Sequence, residues 1–158
     1  MVYNTSAYDS LRSLELLDGL VDIYMPDLKF FSYESSRRFL KAKDYPERAR
    51  EAIAEMYRQV GDLRFGPDGL ARRGLLVRHL VMPGLVDEAR EIFTWLHDEI
   101  SPHTYVNVMG QYHPMFQVGS VESKGRYDDI NRCPTAGEYR RARQAARRAG
   151  LQRLDGRV

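Results

Sequence analysis

Strand-like and helix-like signals alternate along the chain, and this order limits the fold more than any other feature of the sequence. Val2 to Asn4 is a short β-rich run. Ser10 to Leu17 reads as a helix with Leu11, Leu14 and Leu17 on one side, stopped by Asp18-Gly19. Leu20 to Tyr24 is an apolar strand ended by Pro26, which has no N–H to give to a ladder. A short helical stretch covers Ser32 to Leu40. Asp44, three residues before Glu47 with Pro46 in the first turn, opens a helix to Val60 whose Ala49, Ile53, Met56 and Val60 share one face. Leu63 to Phe65 is a brief strand, GPDGLARRG a turn-rich connector, and LLVRHLVMPG a strand closed by Pro83-Gly84. Val86 to Ile100 carries Ala89, Phe93, Leu96 and Ile100 on one stripe, with Asp87 and Glu88 at the positive end of its dipole. After a strand at Tyr105 to Met109, residues 110–132 show little periodicity. Thr135 and Glu138 form a capping box for a helix to Ala149, capped by Gly150, and LQRL is a last short strand.

Helices long enough to cross over between successive strands imply an α/β fold, a mostly parallel sheet with covering helices. Ligands of such sheets lie beyond the carboxyl ends of the strands. Four clusters occupy that position and are expected at one mouth: Asn4-Thr5-Ser6, Asp27-Leu28-Lys29, Arg78 with the Pro83-Gly84 turn, and Gln111-Tyr112-His113.

Composition narrows the function classes. No apolar run approaches the ~18 residues of a membrane span, because the greasiest, Leu75 to Leu85, is broken by Arg78 and His79. The first residues show no basic start and apolar run of a secretory leader, so the expected location is cytoplasmic, with no membrane partner. A single cysteine, Cys133, excludes an internal disulfide framework and a multi-cysteine zinc site. Net charge is +2, which gives no reason to expect nucleic acid as a partner. Residues 132–158 hold eight arginines against Glu138 and Asp155, net +6, and read best as a solvated basic helix face.

Within the clusters, Asp27 and Lys29 are two apart, so an extended backbone turns both to the mouth and Leu28 away. Such a pair is either a grip for a zwitterionic ligand or a surface ion pair. Lys29, flanked by Leu28, Phe30 and Phe31, is also a candidate Schiff-base amine. Arg78 interrupts an apolar run and must snorkel, pair with a carboxylate such as Asp27, or hold a ligand's carboxylate. His79 is expected on the opposite face, packed against a helix. His97 and His103 read as surface residues, and Cys133 as an incidental thiol. His113, between Tyr112 and Pro114 after a strand, suits an imidazole that touches a ligand.

VYNTSAY, LDGLVDIYMPDLKFF, VRHLVMPG, the YHP string and DINRCPTAGEYRRA resemble, in this order, the C-terminal half of radical S-adenosylmethionine proteins similar to the pyruvate formate-lyase activating enzyme. The resemblance covers nearly the whole chain. It implies that residues 1–158 are the C-terminal portion of a radical S-adenosylmethionine core, part of a partial (β/α)6 barrel. The implied chemistry is reductive cleavage of S-adenosylmethionine by a 4Fe-4S cluster to a 5′-deoxyadenosyl radical that abstracts hydrogen, with a protein substrate such as a glycyl radical enzyme. Carried over, Asp27 and Lys29 look like contacts to the ribose or methionine end of the cofactor. Arg78 and Leu80 resemble positions near its methionine and adenine parts, and His113 a further contact. Asn4, Thr5 and Met25, with Asp27, fall near a monovalent-cation site, although Asn4 stands where the activating enzyme has an aspartate.

This sequence lacks the CxxxCxxC cluster loop and the GGE string of that family. A cluster is therefore not expected on this chain, which reads as an inactive fragment with an uncovered strand edge that self-associates or is unstable. A non-catalytic nucleoside or amino-acid binding domain and a Schiff-base aldolase using Lys29 are the alternatives.

Overall fold

The computed structural model describes residues 1–155, so Arg157 of the basic segment lies outside the described residues. The elements are β1 (Val2–Thr5), α1 (Leu11–Glu15), β2 (Ile23–Pro26), α2 (Tyr33–Ser35) continued by a π turn at Ser36–Leu40, and α3 (Tyr45–Val60). Then come β3 (Arg64–Phe65), β4 (Ala71–Leu80), α4 (Val86–Trp95) continued by a π turn at Leu96–Ile100, β5 (Tyr105–Met109), α5 (Ala136–Arg148) and β6 (Arg153–Leu154). The strands make one sheet in the order β1-β2-β4-β5-β6, parallel throughout, with the short β3 antiparallel against β4. The α/β class and the mostly parallel sheet are as expected.

Alternation along the strands separates two faces. Tyr24, Leu75, Val77, Val106 and Val108, with Leu28 and Val81 just past the strand ends, are buried in one core with Ala49, Ile53 and Met56 of α3, Ile92 and Phe93 of α4, and Ala142 and Ala146 of α5. Met25, Asp27, Lys29, Leu76, Arg78, Leu80, Asn107 and Met109 alternate with them and are only half-buried. A parallel sheet that packs its helices on one face and turns ligand-type residues to the other is an arc of an α/β barrel.

Several boundaries differ from the sequence reading for identifiable reasons. β2 lies further along the chain than Leu20 to Tyr24, because its register with β1 begins at Val2 opposite Ile23, and Leu20 is exposed. Pro26 is the last residue of β2, opposite Thr5. Its missing donor falls on the β4 side, where pairing stops at Tyr24–Leu75 and resumes at Asp27–Arg78. β4 starts at Ala71, within the expected connector, because Gly66 N donates to Leu70 O and Gly69 N to Gly66 O, closing a tight hairpin. α1 is shorter than expected and buries Leu14, while Leu11 is exposed. Asp44 does not cap α3 with its side chain; its carboxylate accepts from the Tyr8 hydroxyl at 2.7 Å. Among the described residues no strand pairs with the outer edge of β1, and no helix is long and apolar enough to cross a membrane.

Candidate functional site

Three strand ends deliver charge to one place. Asp27 follows β2, and its Oδ1 accepts from Arg78 Nε of β4 at 2.7 Å. Its Oδ2 accepts from Lys29 Nζ at 3.2 Å. Arg78 Nη2 donates to Asn4 Oδ1 of β1 at 3.0 Å. One carboxylate thus lies between an ammonium and a guanidinium, all partly exposed, and the trio carries a net positive charge toward the open face. Leu28 is fully buried on the other side, as the two-residue period requires.

Asp27, Lys29, Leu80 and His113 line a single cavity of about 470 Å³, the size of a small-molecule site, and Arg78 adjoins it through Asp27. Four of the five residues that the resemblance places at the cofactor therefore line one cavity, and the fifth, Arg78, is bonded to one of them. Asn4 is drawn in only through Arg78. Thr5 is turned to other work: its hydroxyl donates to Asp9 at 2.5 Å and accepts from Ala7 N at 3.2 Å. A monovalent cation at Asn4, Thr5, Met25 and Asp27 would meet side-chain oxygens already accepting from Arg78, Lys29 and Ala7 N, so this set does not fit one. Nor do the side chains fit an iron–sulfur cluster, which is held by thiolates. The one cysteine is Cys133, and among the described residues no group of three metal-binding side chains converges.

His79 is buried on the opposite face as expected, its ring edge-on to Phe93 of α4 with Nδ1 donating to Leu28 O at 2.9 Å. Burial holds its pKa below the usual imidazole value, so it is neutral and structural. His97 pairs with Asp98, and His103 is exposed. Cys133 has a partner that the sequence did not disclose: His113 Nδ1 lies 3.2 Å from its Sγ, although 20 residues separate them.

Other positioning residues were missed because no local pattern marks them. Tyr45 of α3 is 2% exposed, and its hydroxyl accepts from Lys29 N at 3.0 Å. Its one proton is shared between the carbonyls of Asp27 at 2.8 Å and Ser6 at 3.0 Å. Burial pushes that hydroxyl well above the ordinary phenol range, keeping it a donor. Tyr45→Phe leaves these backbone groups unpaired and is expected to cost about 1–3 kcal/mol. A lower denaturant midpoint at unchanged slope would show it; a midpoint equal to wild type would remove Tyr45 from this role.

A flap, residues 110–133, covers one side of the cavity. Tyr112 donates to Ile130 O at 3.1 Å, and Arg38 Nη2 reaches Arg126 O at 2.9 Å and Asp129 Oδ1 at 2.8 Å. Its far end is locked by Glu138. The expected capping box is present, and the same carboxylate also takes two bonds from Arg132 and one from Gly84 N, each at 2.8 Å. The Arg132 guanidinium holds Glu138 far below the usual carboxylate range.

No protein-family model matches the chain. It is similar to an uncharacterized protein of Methanocaldococcus jannaschii, with 30% identity over 152 residues. The match takes in 96% of this chain and 39% of that protein, so the chain spans well under half the length of this relative.

Proposed function

We propose that the chain is part of a radical S-adenosylmethionine protein resembling the pyruvate formate-lyase activating enzyme, and that it supplies one side of the cavity for the organic part of the cofactor. One observation carries this reading: Asp27, Lys29, Leu80 and His113, from three separate segments that follow or end β2, β4 and β5, line one cavity, and Arg78 is paired with Asp27 beside it. When bound, S-adenosylmethionine is the source of the 5′-deoxyadenosyl group. The chain's own part is binding. Lys29 and Arg78, held apart by Asp27, present N–H donors to the cofactor's carboxylate, while Leu80 and His113 flank its adenosine. The donors do not fit the cluster, and no step of this chain is routed through it. For the longer protein we propose a protein substrate such as a glycyl radical enzyme, in the cytoplasm. The open edge of β1, with Val2, Leu11 and Leu20 exposed beside it, is the surface on which the chain pairs with a further strand, including that of a second copy.

Calorimetry tests the binding claim. S-adenosylmethionine is expected to bind with a stoichiometry of one, and Asp27→Ala, which leaves two cations unpaired and mobile, is expected to abolish the heat. No saturable heat with the wild-type chain overturns the proposal. A non-catalytic nucleoside-binding domain is the second reading, favoured if adenosine binds as tightly as S-adenosylmethionine and Asp27→Ala has no effect. The aldolase reading is weaker, since Lys29 is ion-paired and its side chain 35% exposed, without the desolvation a Schiff-base lysine uses.

A further inference from the structure

The cavity has two chemically different ends. Asp27, Lys29 and His113 make one of them polar. The other is built from rings and thioethers. Phe30 and Phe39 stack with centroids 5.5 Å apart and planes 26° apart, and Tyr127 continues the row 6.3 Å from Phe39. Met82, Met115 and Phe116 line the same cavity.

Phe116 is unusual on two independent counts. Its side chain is 93% exposed although it lines a cavity, and its backbone φ is +56°, in the left-handed region that a residue with a β-carbon rarely adopts. A large ring gains nothing from water, and backbone strain of this kind persists where the surroundings impose it, often at ligand contacts. The surroundings here are the flap anchors at Tyr112, Arg126 and Asp129, which leave Met115 and Phe116 as the projecting part. Two cations border this end: Arg38, paired with Asp129, lies 4.8 Å from the centroid of the Phe39 ring, and Lys41 Nζ lies 5.4 Å from that of Tyr127. A flat ring entering this end meets π-faces and adaptable thioethers.

We propose that Phe116 is a specificity-determining residue and that the ring-and-thioether end is a substrate subsite for a planar aromatic group. The assignment rests on the reading of the polar end given above. Met115 follows the shape of the bound ring, and Phe116 folds onto its outer face.

Fluoroindole, followed by fluorine NMR on the full chain, tests the subsite. Saturable binding is expected, with cyclohexanol, a saturated ring, binding markedly more weakly. Phe116→Ala, a change at an exposed side chain, is expected to weaken fluoroindole about ten-fold through lost stacking and contact area, and Phe116→Tyr to restore it. Saturating S-adenosylmethionine should leave fluoroindole bound. Absence of saturable binding, equal binding by the alanine variant, or displacement by S-adenosylmethionine each overturns the subsite. If S-adenosylmethionine fails to bind at all while the dependence on Phe116 persists, the reading of the polar end falls and the aromatic subsite stands.

Discussion

Gly74→Ala is expected to lose about 3–5 kcal/mol of stability, enough to leave much of a marginally stable domain unfolded. Gly74 has φ +126° and donates its N–H to Asp22 O at 2.8 Å, tying β4 to the approach of β2. A β-carbon built there collides with the carbonyl of Asp62 and with Leu63 Cα, both backbone atoms that cannot rotate aside. The segment cannot retreat either, because Leu75 N donates to Gly61 O at 2.9 Å and Asp62 bridges Leu75. Strain and collision therefore add. Gly69→Ala separates them: its φ of +75° imposes strain, but nothing lies within 4 Å of the added carbon, so about 1 kcal/mol is expected. Thermal melts of the two variants read the difference, and equal midpoints would show that the close approach of residues 62–63 to β4 is wrong.

The contrast marks what was legible in the sequence. Period-two and period-3.6 patterns report which side of an element is buried, so the helix from Tyr45 to Val60, the strand at Tyr105 to Met109 and the capping box at Thr135 were readable. For Arg78 the sequence left snorkelling, pairing and ligand contact open, and the structure pairs it with Asp27. Tertiary register moved the rest. Leu20 looked like a strand residue and Asp44 like a cap, but pairing with β1 starts at Ile23 and the Tyr8 hydroxyl claims Asp44. Of the cavity residues, Asp27, Lys29 and His113 could be placed at one mouth because an alternating α/β order itself says where strands end, whereas Leu80 was marked only by the resemblance. Tyr45, Phe116 and the Cys133–His113 contact were not readable, since each depends on a loop path or on a long-range bond to backbone, which leaves no periodic trace.

Glu88 shows the same limit and leads to the other large effect. Its sequence position, in the first turn of a helix, promised only a favourable dipole. The structure turns the carboxylate across to the segment that follows Lys29. Oε2 accepts from Phe31 N at 2.5 Å and Ser32 N at 3.0 Å, and Oε1 from the hydroxyls of Ser32 at 2.5 Å and Ser35 at 2.6 Å. Glu88→Ala strands these four donors in a buried site and is expected to cost about 3–5 kcal/mol, measured by denaturant unfolding at neutral pH. Glu88→Gln keeps the shape but replaces one acceptor by an NH2 that faces donors, and should lose about half as much.

Burial pushes the Glu88 carboxyl up, and the bonds from Ser32, Ser35 and the two backbone N–H groups more than offset it, so its folded pKa lies below the ordinary glutamate value. A lowered folded value means that the contribution is complete above the unfolded pKa of about 4.3 and fades as pH falls through the folded one. The gap in stability between wild type and Glu88→Gln should accordingly be full at neutral pH and shrink below about pH 4. Among the described residues no cation is paired with Glu88, so added salt should leave that gap nearly unchanged at neutral pH. A gap that salt closes would mean the carboxylate is held by long-range charge instead, and a gap constant from neutral pH to pH 3 would mean it is not ionised in the fold. Either result would detach α4 from the loop that carries Lys29 into the cavity.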